Sequence, residues 1–112
     1  MDSFTLNYAY SSCNSYQYDV DPETQSFTNR RVFAYSDSGI PNGIQLDSND
    51  NVFSACGEGT HVWNSGGALI GKFYINSTTP EMIFTNSGLL IFDEENIYLA
   101  NIKAQGINLT AY

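Results

Sequence analysis

Charged residues are scarce in this sequence of 112 residues. They make up 14% of the chain, against about a quarter in a typical soluble domain. Only four are Lys or Arg, and Arg30-Arg31 is the only cluster. So few basic groups cannot neutralise a phosphate backbone, and the net charge of −8 disfavours an anionic membrane surface. We therefore expect neither nucleic acid nor a membrane as a partner, and we interpret the acidity as an aid to solubility. The alternative is a cation site, which requires converging oxygen ligands.

Long apolar runs and helical periodicity are also missing. No apolar stretch reaches the 18 or so residues that a membrane span needs, and no segment of a dozen residues keeps a 3.6-residue apolar period. The first five residues, Met1 to Thr5, lack the basic and apolar regions of a signal peptide. The sequence predicts almost no helix and no export signal in this chain, and it leaves the compartment undetermined.

Cysteine is rare, with Cys13 and Cys56 far apart and no C-x-x-C spacing. This pattern gives no support to a zinc site or to thioredoxin-like chemistry. We expect two half-buried thiols, and a disulfide between them only in an oxidising compartment. The triplets that begin at Asn76 and Asn108 match the N-glycosylation pattern and hint weakly at a secreted ancestry.

Aromatic residues and turn formers, in contrast, are abundant. Tyr and Phe contribute 15 residues, and Asn, Ser, Thr and Gly separate short apolar runs, a profile that favours strands joined by tight turns. The chain is therefore expected to be all-β. The predicted strands are Thr5–Tyr10, Tyr16–Val20, Asn29–Tyr35, Ile44–Asp47, Val52–Cys56, His61–Trp63, Leu69–Ile75, Glu81–Phe84, Leu89–Phe92 and Ile97–Ile102.

The strands also repeat as a group. The segment that begins "IQLDSNDNVFSACG" has the same order of apolar strands and polar turns as the one that begins "MIFTNSGLLIFDEE". In this correspondence Leu46 matches Phe84 and Trp63 matches Leu99. A four-stranded unit of roughly 40 residues is the size of a β-propeller blade. We predict one partial propeller domain over 1–112 with about two and a half antiparallel blades: a half blade 1–38, a blade 39–77, an incomplete blade 78–104 and a tail 105–112.

Particular motifs then resemble a known family. They are Asn29-Arg30-Arg31-Val32-Phe33, then Gly39-Ile40-Pro41-x-Gly43-Ile44, then Asp47 and Asn51. Their order and spacing resemble the C-terminal part of the gluconolactonase, regucalcin and senescence-marker-protein family, in particular its fungal lactonohydrolase branch, from about Tyr16 to Ala100. This resemblance implies a six-bladed type of propeller, of which the chain would be a truncated homologue.

The resemblance also implies a chemistry and a metal site. Members of the family hydrolyse sugar lactones and related esters with one divalent cation, usually calcium, whose ligands include the Asp of a Pro-Asp-Gly turn. That Asp is also the usual candidate for the general base. The matching position here is Asn42, which can offer calcium an amide oxygen but cannot act as a base. We expect Asn42 at the metal position, or as an ordinary Asn-Gly turn residue, and we assign no catalytic residue.

Two functions remain open at this point. The first is a lactonase-like chain that is weakly active or inactive alone, with a sugar lactone or similar ester as substrate. The second is a non-catalytic interaction module or gene fragment that completes a propeller with another chain. Since closure normally needs at least about four blades, open blade edges could drive self-association.

Other acidic and basic side chains have more modest interpretations. Glu81 begins a strand whose side chains face the central channel in the family, so it is a candidate channel residue or a solvated charge. His61, the single histidine, is expected on the surface or between blades. Asp47 is expected to cap backbone N–H groups in a turn, and the acidic segment 19–23 is expected to form a hairpin turn because it lacks the remaining EF-hand ligands.

Overall fold

The computed structural model describes residues 2–7, 14–35, 43–57, 59–75 and 81–107, of which 2–7 and 14 are described by their backbone alone. These residues form ten β-strands in three antiparallel sheets and contain no helix. Accordingly, no described helix has the length and apolarity needed to cross a membrane. The prediction of an all-β chain is confirmed.

Each sheet is built from strands that follow one another in the sequence. The first sheet contains, in spatial order, β1 (Asp2–Asn7), β2 (Asn14–Val20) and β3 (Phe27–Tyr35). The middle sheet contains β4 (Ile44–Leu46), β5 (Val52–Cys56), β6 (Gly59–Trp63) and β7 (Leu69–Tyr74). The third sheet contains β8 (Glu81–Thr85), β9 (Gly88–Phe92) and β10 (Ile97–Ala100). Every predicted strand overlaps one of these, although residues 8–10 of the first prediction lie outside the described residues.

Four connections between paired strands start with an Asp or Asn whose side chain accepts hydrogen bonds from the loop backbone. These residues are Asp21, Asp47, Asn64 and Asp93. In each loop the Oδ1 atom accepts from the N–H two residues further on, which is the Asx-turn arrangement. The hairpins therefore depend on local polar residues that are visible in the sequence.

The two central strands of the middle sheet, β5 and β6, are buried on both faces. All five residues of β5 are buried, although side chains along a strand alternate between its two faces. One face contacts the first sheet through a cluster of Val52, Cys56 and Trp63 with Ala34 of β3. We call this contact the first seam. Apolar burial on both sides of one sheet is the main stabilising term available to a small all-β chain.

The opposite face of the middle sheet contacts the third sheet, and we call this contact the second seam. Its buried members are Phe53, Ala55, Val62, Met82, Leu89 and Ile91. The Phe53 ring meets the Phe84 ring edge-on, with centroids 5.0 Å apart, a geometry that adds to the burial of apolar area. The three sheets thus stack face to face in a row, with the middle sheet in the centre.

The segment after β10 returns to the middle sheet. The Ser48 N–H donates to the Gln105 carbonyl at 2.7 Å, and Gly106 forms a β-bridge with Asp47. A Cβ atom on Gly106 would lie 2.7 Å from the Cβ of Phe84, so only glycine fits this approach. The C-terminal ends of β4 and β8 therefore lie together beside Gly106, and the beginnings of these strands lie at the other end of the second seam.

Candidate functional site

The strand that follows Asn42 is held in place by its first backbone contacts. Asn42 itself lies outside the described residues, as does the rest of segment 36–42. The next residue, Gly43, is buried, and its carbonyl accepts a hydrogen bond from the Ala55 N–H at 2.9 Å. The metal position expected for Asn42 remains a prediction, at the start of β4.

Glu81 is the first residue of β8 and is exposed. Its Oε1 atom accepts a hydrogen bond from the N–H of Met82 at 3.1 Å. Met82 points into the second seam, so alternation along the strand directs Glu81 to the face of the third sheet that lies away from the middle sheet. Glu81 and Gly43 share one end of the stacked sheets, but the channel assignment of Glu81 stays a prediction.

Asp47 is fully buried, and its carboxylate accepts hydrogen bonds from its own loop. It accepts hydrogen bonds at Oδ1 from the backbone N–H groups of Asn49 and Asn51, at 2.8 and 2.9 Å, and at Oδ2 from the Asn51 side-chain amide at 2.9 Å. Charge-assisted bonds of this kind are among the stronger ones in proteins. The prediction that Asp47 caps backbone N–H groups is confirmed.

The acidic segment 19–23 forms a hairpin connection, as predicted. The Asp21 side chain accepts from the backbone N–H groups of Glu23 and Thr24, and these bonds lower the pKa of Asp21 below its ordinary value. The pKa of Asp19 is lowered as well, first by the hydrogen bond from the Asn29 side chain and then by Arg31, whose guanidinium lies 3.0 Å from the carboxylate. Both carboxylates therefore bind partners within the first sheet and its hairpin connection.

His61 lies between two sheets, at one of the two locations that the sequence left open. It is 1% exposed and faces the first seam, on β6 directly across from Ser54 of β5. Its ring centroid is 5.6 Å from that of Trp63. His61 is thus part of the packing between sheets.

Cys56 lies in the same seam and is 1% exposed, and its thiol donates to the Ser54 carbonyl at 3.5 Å. The expectation of a half-buried thiol was wrong for this residue, because β5 is covered on both faces and leaves no side of the strand open. Cys13 lies outside the described residues, and so do Asn76 and Asn108.

The described residues do not assemble the cation site that the resemblance implies. Within 14–35, 43–57, 59–75 and 81–107, no three side chains of His, Cys, Asp or Glu come together as a group that could hold a metal ion. Calcium requires six or more oxygen ligands, whereas the Asp47 and Asp21 oxygens already accept bonds from their own loops. The calcium site therefore stays a prediction that rests on the resemblance.

Sequence reasoning missed several buried polar residues in the seams. Ser15, Ser54 and Thr60 are at most 1% exposed, and the Thr60 hydroxyl donates to the Met82 sulfur at 3.7 Å across the second seam. A signal was present for Ser54, which is the one polar residue in the otherwise apolar strand β5. Because buried polar groups need partners, such an interruption indicates a hydrogen bond to a neighbouring group.

Comparisons with known proteins support one fold. No protein-family model matches this chain, and neither does any curated protein. Among solved structures, a gluconolactonase from Xanthomonas campestris has a TM-score of 0.74 at 23% identity, over 80% of this chain and 30% of that one. A protein assigned to the gluconolactonases has a TM-score of 0.76 at 17% identity, over 86% and 34%.

A luciferin-regenerating enzyme has a TM-score of 0.74 at 17% identity, over 86% of this chain and 40% of that one. The chain thus spans less than half the length of each of these three proteins. At such identities the similarity concerns the fold, and it confirms the predicted partial propeller. The chain has the β-propeller architecture of gluconolactonase-like proteins.

Proposed function

We propose that this chain is a scaffold segment of a lactone-hydrolase type of propeller, which supplies stacked sheets and not a complete catalytic centre. The three solved structures support the propeller part of the proposal, since two are gluconolactonases by description and one is a luciferin-regenerating enzyme. The observation that carries the second part concerns four of the described carboxylates, which make hydrogen bonds or an ion pair within their own hairpins.

Those carboxylates serve the fold. Asp21, Asp47 and Asp93 each accept hydrogen bonds from their own hairpin loops, while Asp19 is bridged to Arg31. A general base or a calcium ligand must direct an oxygen towards the reacting water or the ion. These groups would have to give up loop hydrogen bonds to do so, which would destabilise the hairpins.

For the ancestral chemistry, we propose the classes of substrate and cation that the resemblance implies. The substrate would be a sugar lactone or a similar small ester, and the cation would be calcium. Asn42 would supply one neutral amide oxygen to that ion. Because an amide cannot accept the proton of an attacking water, we expect this chain to hydrolyse lactones weakly or not at all.

The test is an aldonolactone hydrolysis assay that follows acid release from the purified chain, with calcium and with a chelator. We expect the rate with the chain to equal the rate of the buffer in both conditions. A rate that requires calcium and disappears in Asn42→Ala would refute the proposal.

Asn42→Asp separates two reasons for inactivity. If the amide were the only defect, restoring a carboxylate would produce calcium-dependent turnover, and the scaffold proposal would be wrong. If further ligands are missing, as we propose, Asn42→Asp will be as inactive as the parent chain. Unchanged circular dichroism and Trp63 emission would show that both variants keep the parent fold.

A further inference from the structure

Residues 101–107 cross one end of the second seam, from β10 to the C-terminal ends of β8 and β4. Along this segment every second residue is partly buried, and the residues between them are exposed. The partly buried residues are Ile102, Ala104 and Gly106. Ile102 and Ala104 pack against the buried cluster of the second seam. The alternation is that of an extended segment with one face on the protein, and we call residues 101–107 the strap.

The strap is held by fewer backbone contacts than the strands beside it. Among the described residues, its backbone meets the middle sheet at two positions, where Gln105 accepts from the Ser48 N–H and Gly106 forms a bridge with Asp47. In contrast, β8 and β9 pair over five residues. A segment with few backbone hydrogen bonds and half of its side chains in water opens at a lower free energy than core strands do.

The donor that the strap uses lies in the loop that Asp47 caps. The Asp47 Oδ1 atom accepts from the N–H groups of Asn49 and Asn51, so this one carboxylate holds the backbone that follows Ser48. Asp50 in the same loop has a φ of 63°, which lies in the left-handed region that is costly for most residues other than glycine. The cap therefore maintains the loop shape that directs the Ser48 N–H to the Gln105 carbonyl.

The strap and the cap also depend on each other through burial. Asp47 is 0% exposed, and the bridge places Gly106 directly beside it. A buried carboxylate is tolerated only where its oxygens accept hydrogen bonds, as the Asp47 oxygens do from their loop. Closure of the strap over an uncapped loop would therefore cost free energy, and closure over a capped loop does not.

We propose that the strap is releasable, that the Asp47 loop is its latch, and that it opens as a unit while the three sheets stay folded. Opening breaks the contact between Ser48 and Gln105, and it moves Ile102 and Ala104 away from the second seam. The strand pairings stay intact. This conformational device goes beyond the proposed function, because it involves neither Asn42 nor Glu81.

The first experiment is limited trypsin digestion of the 112-residue chain under native conditions. Its four cleavage sites are Arg30 and Arg31 in β3, Lys72 in β7, and Lys103 on the strap. Trypsin cuts segments that open locally, so we expect the cut at Lys103 to be at least tenfold faster than the others, each rate being divided by its rate in the urea-unfolded chain. The emission of Trp63, which is 2% exposed in the first seam, should survive this cut. Cleavage at all sites at one normalised rate would overturn the proposal, because the strap would then open only with the sheets.

The latch is tested with Asp47→Ala and, as the matched control, Asp93→Ala. Asp93 caps the β9–β10 loop in the same way, at the opposite end of the third sheet from the strap. Asp93→Ala should destabilise the closed and the open strap equally, so we expect the rate at Lys103 to change by less than twofold. Asp47→Ala should raise that rate at least tenfold. Equal acceleration in both variants would overturn the latch. If Asp47→Ala loses the native Trp63 emission, Asp47→Asn, which keeps one acceptor oxygen and loses the charge, is compared with Asp93→Asn instead.

Hydrogen exchange of two backbone amides provides an independent measurement. The Ser48 amide donates to the strap, whereas the Ala55 amide donates to the Gly43 carbonyl within the middle sheet. Opening a short segment exposes little surface, so low concentrations of urea should accelerate exchange at Ala55 much more than at Ser48. The same urea dependence at both amides would overturn the proposal.

Gly106→Ala should loosen the strap directly, because a Cβ there would lie 2.7 Å from the Cβ of Phe84. We expect exchange of the Ser48 amide to become at least tenfold faster. Gly66→Ala, in the open β6–β7 turn, is the control and should change that rate by less than twofold. An unchanged Ser48 rate in Gly106→Ala would contradict the placement of the strap. These measurements need no substrate, so their outcome does not depend on the lactonase assay.

Discussion

His61 and Trp63 lie on the same face of β6, two residues apart, with ring centroids 5.6 Å from each other. Both are at most 2% exposed, in the first seam. They are the single histidine and the single tryptophan of the chain. Trp63 is therefore a specific optical reporter of the contact between the first and middle sheets, and His61 is its nearest aromatic neighbour on that strand.

We expect His61→Ala to destabilise the chain by about 2–4 kcal/mol, the range for removing a buried side chain of this size. The cavity would lie beside Trp63, so its native emission should also change. Urea unfolding followed by Trp63 fluorescence and by circular dichroism measures both effects. Lys72→Ala, which changes the exposed residue across from His61 on β7, should shift the unfolding free energy by less than about 0.5 kcal/mol. Equal urea midpoints for His61→Ala and Lys72→Ala would contradict the burial of His61 in the first seam.

Asp47 and Asp93 provide a matched pair of loop caps. Asp47→Ala removes three hydrogen bonds from a fully buried carboxylate, and we expect a loss of about 1–3 kcal/mol. Asp93→Ala removes similar bonds from the more exposed β9–β10 loop, where water can replace the carboxylate, so we expect about 1 kcal/mol or less. Thermal unfolding of the two variants compares them directly. A larger loss of stability in Asp93→Ala than in Asp47→Ala would show that burial of the carboxylate does not determine how much each cap stabilises the chain.

Gly66 and Gly67 are adjacent in one turn but have different surroundings. Gly67 has a φ of 86°, and a Cβ there would lie 2.4 Å from the Phe33 carbonyl oxygen, whereas a Cβ on Gly66 would meet only the Asn64 side chain at 3.4 Å. We expect Gly67→Ala to cost at least about 2 kcal/mol, from backbone strain and from separation of the loop from β3. Gly66→Ala should change the unfolding free energy by less than about 0.5 kcal/mol. Chemical denaturation of both variants tests this, and equal stabilities would rule out the tight contact with Phe33.

Acid should weaken the first sheet through Asp21. The pKa of Asp21 in the folded chain is lowered from 3.8 by the Glu23 and Thr24 N–H groups. The stabilisation it gives is therefore complete above pH 3.8 and is lost as the pH falls through the lowered pKa. Asp21→Asn keeps an oxygen acceptor for these donors and should remove this part of the acid dependence.

The measurement is the urea midpoint as a function of pH, combined with NMR titration of the carboxyl carbons. Glu23→Gln removes one charge from the same loop and leaves the Asp21 carboxylate in place, so it serves as the control. Its urea midpoint should still fall at low pH, as in the parent chain. An Asp21 carboxyl carbon that titrates above 3.8 would contradict the predicted direction.

Much of the fold could be predicted because its hairpins are local. The alternation of apolar and polar residues, and the Asp or Asn that opens four of the connections, are properties of a few neighbouring positions. For this reason the predicted strand Val52–Cys56 matches β5 residue for residue. The capping role of Asp47 could be inferred in the same way, from the turn residues that follow it.

The candidate site could be predicted much less well. Asn42 was identified through a resemblance in a short motif, and the partners of a metal ion come from distant parts of a chain. The side-chain direction of Glu81 depends on which face of β8 meets the middle sheet, and sequence alternation cannot distinguish the two faces. The burial of His61 likewise depends on the first sheet, which covers β6 from more than 25 positions earlier in the chain.

Val32 and Val52 illustrate which properties the sequence determines and which depend on the tertiary structure. The sequence by itself determined that both lie in strands, because β-branched residues between turn signals favour extended backbone. Only the tertiary structure decided that Val52 is 2% exposed in a seam and Val32 is 58% exposed on an outer face. The path of the tail past Phe84 was decided in the same way, by the close approach that Gly106 allows. The physical reason is that strand formation depends on neighbouring residues, whereas burial depends on which sheet is stacked on which face.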